Sequence, residues 1–210
     1  MVRAITTIVC SFLLLLSFSC SREDTGPEEA MPDKGLVTFT AMTEQGETRS
    51  SQEGSFETGD AIGVFAIEPK TGVYWAVNNK YTYDGQKFKP EAEADNIIVT
   101  VGTDFDFYVY YPFKTGQTDI TGISHTAGNQ NEKAGWISAD FMTATYTDPI
   151  RDYTVPLHFK HRMSTVEVRI ERNDGVREAT MENVKRTSRF NLLTGGISTD
   201  ESKGNCAMYK

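Results

Sequence analysis

His158 and His161 form an H-x-x-H pair, which on a helix would turn two imidazoles toward one metal ion. Their setting reads as a strand, where positions three apart point to opposite faces, so the pair cannot share a metal without a bend. Asp104 and Asp106 stand on one face of the stretch Phe105 to Tyr111, opposite Phe105, Phe107 and Val109. Two such carboxylates can bind Ca²⁺ or serve as a glycosidase pair. They also form the wet side of an antiparallel sheet, which suits a strand with an aromatic opposite face. Asp140 and Asp148-Pro149 fit turns, and His125 is isolated in a loop-like stretch. With neither G-x-S-x-G nor C-x-x-C present, no catalytic residue, no metal site and no cofactor is expected, and the protein is not read as an enzyme.

Aromatic side chains offer a different chemistry. Tyr74, Trp75, Tyr81, Tyr83, Phe88, Tyr108, Tyr110, Tyr111 and Trp136 could stack on sugar rings if exposed, or pack across strands if buried. Trp136 lies in the polar, Gly-containing stretch from Asn129 to Ser138, expected to be a long exposed loop. Trp136 and Tyr74 are the candidates for ligand or partner contact.

Cys20 is the remaining reactive position. Before it come Arg3, an apolar run from Ile8 to Leu16, and Ser17-Phe18-Ser19, the parts of a secretion signal in order. The run is well short of the ~20 residues that span a bilayer. Leu16 to Cys20 resembles the lipobox of bacterial lipoproteins, although Ser17 stands where an aliphatic residue is usual. Cleavage before an acylated Cys20 is the expectation, and ordinary cleavage after Ser19 is the alternative. Several acyl chains make such an anchor stable, because each buried methylene adds ~0.8 kcal/mol and one chain holds only marginally. Residues 20–35 are acidic, polar and broken by Pro27 and Pro32, so they read as a flexible tether.

The chain has 210 residues and a net charge of −8, with no Lys/Arg cluster, which argues against nucleic acid as a partner. Of its three cysteines, Cys10 leaves with the signal and Cys20 is acylated, so Cys206 is unpaired and no disulfide framework is expected.

The elements that would position these residues are strands. Val37, Phe39 and Ala41 alternate with Thr38 and Thr40, and Val155 to Phe159 and Thr165 to Glu171 alternate likewise. Ala61 to Ile67 is a continuous apolar run, and Asp84-Gly85 between Tyr81-Thr82-Tyr83 and Gln86-Lys87-Phe88 marks a hairpin. Ile97 to Val101 and Arg189 to Leu193 add further strands, while Gly195 to Lys210 offers little that could close a sheet. No window sustains helical spacing over three turns. An all-β, antiparallel sandwich is predicted, with a first domain over 36–172 and the start of a second, incomplete one over 173–210.

Five pieces, in order, carry a resemblance: Phe56 to Phe65; Asn79-Lys80-Tyr81 with Lys89-Pro90; Asp106 to Pro112; Ala139 to Ala144; and Val155 to Ser164. Together they resemble the fimbrillin-like proteins of Bacteroides-type bacteria, subunits and relatives of type V fimbriae. The resemblance implies transthyretin-like Greek-key sandwiches and a lipoprotein on the outer membrane that takes part in fimbrial assembly and adhesion. It also implies a mode of assembly, in which a surface protease cuts after an Arg behind the first strand and a neighbouring subunit's strand fills the groove. Here the first strand would be Leu36 to Met42, with Leu36, Val37, Phe39 and Ala41 as its apolar members, and Arg49 the candidate cut. An uncut Arg49 in a solvated loop is the alternative. Losing Val37, Phe39 and Ala41 would forfeit about 4–7 kcal/mol of burial, comparable with the ~5–15 kcal/mol that stabilises a typical domain. Expected partners are other fimbrial subunits, the outer membrane through the lipid, and host or bacterial surface ligands or glycans. A carbohydrate-binding lipoprotein beside a glycan importer, using Trp136 and Tyr74, is the second reading.

Overall fold

The computed structural model describes residues 33–43, 56–164, 166, 168, 175 and 178–208; Cys20 with its signal and tether, and Arg49, lie outside them. Among the described residues there are fourteen strands and one short α-helix. The strands are β1 (Lys34–Leu36), β2 (Thr38–Thr43), β3 (Ala61–Ile67), β4 (Tyr74–Tyr83), β5 (Phe88–Pro90), β6 (Ile98–Thr100) and β7 (Asp106–Tyr111), then β8 (Ile123–Thr126), β9 (Met142–Tyr146), β10 (Thr154–His161), β11 (Thr180–Lys185), β12 (Thr187–Phe190), β13 (Ile197–Thr199) and β14 (Lys203–Ala207). The helix, α1, is Lys133–Ser138. The predicted all-β class is observed.

Seven strands run in the order β10-β2-β5-β4-β3-β7-β9, and β9 pairs with β10, so the sandwich closes into a ring. All its pairings are antiparallel except β10 with β2. Inside it lies the principal core, with Val37, Phe39, Ile62, Val64, Phe107, Val109, Leu157 and Phe159 fully buried. A second core forms on the other side of the same sheet, where Phe65 and Tyr110 meet Ile120, Ile123, Phe141, Phe190 and Leu192. This explains the unbroken apolar run in β3: Ile62, Val64 and Ala66 enter one core while Phe65 enters the other, so neither face is left wet. Gly63 has a specific place in that arrangement, because a Cβ there would meet the Tyr110 ring at 2.2 Å. β10, by contrast, is covered on one face only, and Val155, Leu157 and Phe159 alternate with exposed Pro156, His158 and Lys160.

The Asp84-Gly85 hairpin forms as predicted. Tyr83 pairs with Phe88, Asp84 Oδ1 accepts the N–H groups of Gln86 and Lys87 at 2.9 Å each, and Gly85 takes φ +99°. Other expectations are corrected. The predicted loop at Asn129 to Ser138 contains α1, whose terminal amides bond within the turn. His125 lies on β8, not in a loop, and is 1% exposed. Val166 and Val168, expected on the inner face of a strand, are exposed and lie outside any strand. After Gly195 the chain does build sheet: β13 pairs with β12, β12 with β8, and β14 with β11. Cys206, on β14, is a buried free thiol.

Candidate strand-exchange site

The segment Leu36 to Met42 divides at Val37 into two strands with different partners. β1 pairs with β6, setting Leu36 opposite Ile98, and leaves Leu36 40% exposed. Val37 donates its N–H to the Ile97 carbonyl (2.9 Å), and Thr38 donates to Tyr153 (2.8 Å), which moves the chain onto β10. From there β2 runs parallel to β10 from Thr38 opposite Thr154 to Thr43 opposite Phe159. On its other side it meets β5 at one position, Phe39 opposite Phe88. β2 is therefore the strand that closes the ring, through one long ladder and one short one.

Its anchor is Phe39. The ring is fully buried and meets Tyr81 at 5.1 Å and Phe107 at 5.3 Å between centroids, both edge-on. Val37 is also fully buried, Ala41 is half-buried against the same core, and Met42 is 53% exposed. Removing β2 would take Phe39 out of an aromatic cluster and leave the facing backbone groups of β10 without partners. Beyond the gap in the described residues, Phe56 packs edge-on against Phe88 (5.0 Å), Phe159 (5.1 Å) and Tyr111 (5.3 Å). Phe56 therefore seals the core between the strands that flank β2, and it lies after Arg49 in the chain. Asp60 supports this corner: it accepts the Glu57 N–H at 2.8 Å and the Tyr111 hydroxyl at 3.1 Å. Burial, and then the Asp60 charge, push the Tyr111 phenol well above its usual range.

The other candidates are dispersed. Tyr74 opens β4 and is 46% exposed, and Trp136 is half-buried on α1. Neither lines the groove at Trp75. That side chain, 58% exposed, stands edge-on to Phe105 at 5.1 Å and borders a groove with Ile98, Lys70 and Asp104. The signal for Trp75 was masked because the β3–β4 register shifts beside it, leaving both Tyr74 and Trp75 outward while Ala76 is buried.

The residues that suggested chemistry form no reactive centre. Asp104 pairs with Lys70 at 3.0 Å, while burial raises the carboxyl pKa of Asp106, with Tyr108 on the same strand opposing that rise. His161 Nδ1 lies 2.8 Å from Asp140 Oδ2, and His158 points outward from the same strand, so the two histidines do face opposite ways. No group of three potential metal ligands occurs among the described residues.

The fold is a seven-strand β-ring that includes β2, with a second small sheet packed on its outer face. The chain belongs to the fimbrillin-like family: the family's sequence profile matches residues 48–209. Among solved structures, it is similar to a candidate cell adhesion protein from Bacteroides ovatus, with 18% identity and a TM-score of 0.57 over 84% of this chain and 72% of that one. A candidate cell adhesion protein from Bacteroides uniformis shows 20% identity and a TM-score of 0.56 over 84% and 70% of the two chains. These are likenesses of fold. No curated protein matches the chain.

Proposed function

We propose that the protein is a cell-surface fimbrial subunit or accessory protein that assembles by strand addition. It is delivered to the outer membrane through a lipid on Cys20 and activated by cleavage after Arg49. The observation that carries the reading is the seat of β2. This strand joins β10 to β5 in the ring, holds a six-residue ladder on one side and a single bridge on the other, and buries Phe39. Its loss would open a groove between β10 and β5, matched to an extended strand with apolar residues at alternate positions. Family membership supports the same reading, as does the position of Arg49 between the closing strand and the sealing residue Phe56.

Mass spectrometry of the mature N-terminus, combined with crosslinking of native surface material, tests it. A terminus at Ser50 in crosslinked multimers is the expected result. Finding only an uncut monomer would overturn the strand-exchange role, and an unacylated Cys20 in the precursor would overturn the anchor.

A further inference from the structure

The outer face of β7, β9 and β10 is covered only in part. Phe65 and Tyr110 lie under the second core, but beyond that cover the sheet opens into a groove of about 440 Å³, walled by the turn at 190–195. Register brings together side chains that are far apart in the chain. Tyr108 is opposite Thr145, and Thr143 is opposite Lys160. The two-residue period of the strands then puts Thr143, Thr145, His158 and Lys160 on one side, with Thr147 just past the end of β9. Arg162 bounds the groove next to Gly195, donating from Nη2 to the Gly195 carbonyl, while its enclosed Nε meets no acceptor among the described residues.

The opposite wall is preorganised. Asn191 Oδ1 accepts the N–H groups of Leu193 (3.0 Å) and Thr194 (3.1 Å), and Gly195 N–H returns to the Asn191 carbonyl (2.8 Å). Leu192 is fixed in the second core by its side chain and by a bond from its N–H to the Ile120 carbonyl (3.0 Å). The charge is distinctive as well. The whole chain carries −8, yet the cations Lys160 and Arg162 line the groove beside His158, and among the described residues no carboxylate does. Asp106 lies two residues before Tyr108 on β7 and is outside the groove's lining.

We propose that this groove binds an acidic saccharide, a sugar chain bearing ring carboxylates. Basic side chains give charge-assisted bonds to the carboxylate, threonine hydroxyls act as donors or acceptors toward ring hydroxyls, and Tyr108 with exposed Leu193 offers apolar surface to the C–H faces. The site lies on the face of the sheet opposite Phe39, so it stands independently of strand exchange.

The test is calorimetric titration of the full mature chain, in detergent where it carries lipid. The probes are an oligogalacturonate, a sialyl-terminated oligosaccharide, a neutral galactan fragment of equal length and inorganic phosphate. Binding of either acidic sugar at least about tenfold tighter than the neutral one is expected, weakening as salt rises. Which acidic sugar binds distinguishes a polymer uronate from a host-type glycan. The exposed pair His158→Gln and Lys160→Gln should lower affinity about tenfold or more, and Thr145→Trp should fill the groove and abolish binding. Trp75→Ala should leave it unchanged, and thermal midpoints check that each variant is folded. No binding of either acidic sugar, equal affinity for the neutral one, phosphate binding as tight as the sugars, or indifference to the double variant would each overturn the proposal.

Discussion

Gly35 lies flat against the ring of Tyr153, so closely that a Cβ on the glycine would come within 2.6 Å of three ring atoms. The ring is held at its far end as well, where its hydroxyl donates to the Asp33 carbonyl. Tyr153 also supplies the carbonyl that receives Thr38. One residue thus clamps the chain at the place where it passes from β1 into the closing strand. Gly35→Val should lower stability by about 1–3 kcal/mol, the usual cost of overpacking. Urea denaturation checks this, and an unchanged midpoint would show that the clamp yields without cost.

Phe39 and Met42 belong to the same strand and differ in what they face. Phe39→Ala should cost about 3–5 kcal/mol, as large aromatic truncations in a core do. Met42→Ala, at a position 53% exposed, should stay within about 0.5 kcal/mol of the parent. Equal effects in denaturation would mean that β2 is not held by its buried face. Under the strand-exchange proposal, Phe39→Ala should also speed uptake of a synthetic donor peptide by the intact protein, measured by fluorescence anisotropy.

His125 makes stability depend on pH. Burial lowers its pKa below the ordinary 6.5, outweighing the opposing bond from Nε2 to the Ala139 carbonyl at 3.0 Å. The unfolded chain therefore takes up a proton at pH values where the folded chain does not. Its contribution to stability is full above about pH 6.5 and falls as the pH drops toward the folded-state pKa. His125→Gln should flatten this slope between about pH 5 and 7. If denaturation midpoints at the two pH values differ equally in both proteins, His125 is not the group responsible.

Arg49→Gln should leave the precursor uncut and absent from surface multimers, and Cys20→Ser should abolish incorporation of radiolabelled palmitate. Intact mass and lipid labelling measure the two separately. A normally processed Arg49→Gln protein would move the cut elsewhere, and a labelled Cys20→Ser protein would remove the lipid assignment.

Local pattern was enough to place much of the sheet. β3, the Asp84-Gly85 hairpin and the alternation in β10 are legible because each depends on residues a few positions apart: turn chemistry, or a face period of two. The opposed directions of His158 and His161 followed from the same period. The signals at Cys20 and Arg49 are also readings of local sequence, made without any partner. What tertiary structure alone decided depends on contacts between distant segments. Alternation from Val37 to Ala41 shows a strand, but not that Val37 hands the chain from β6 to β10 and leaves β2 to close the ring. An isolated His125 looked like loop until β12 paired with its strand and the second core closed over Phe141, whose ring it touches at 5.1 Å. Val166 and Val168 alternate as a strand would, yet alternation cannot supply the neighbour that would bury them. The basic groove illustrates the limit best. Tyr108, Thr145 and Lys160 are far apart in the chain, and only the registers of β7, β9 and β10, set by burial of their other faces, bring them to one surface beside Gly195.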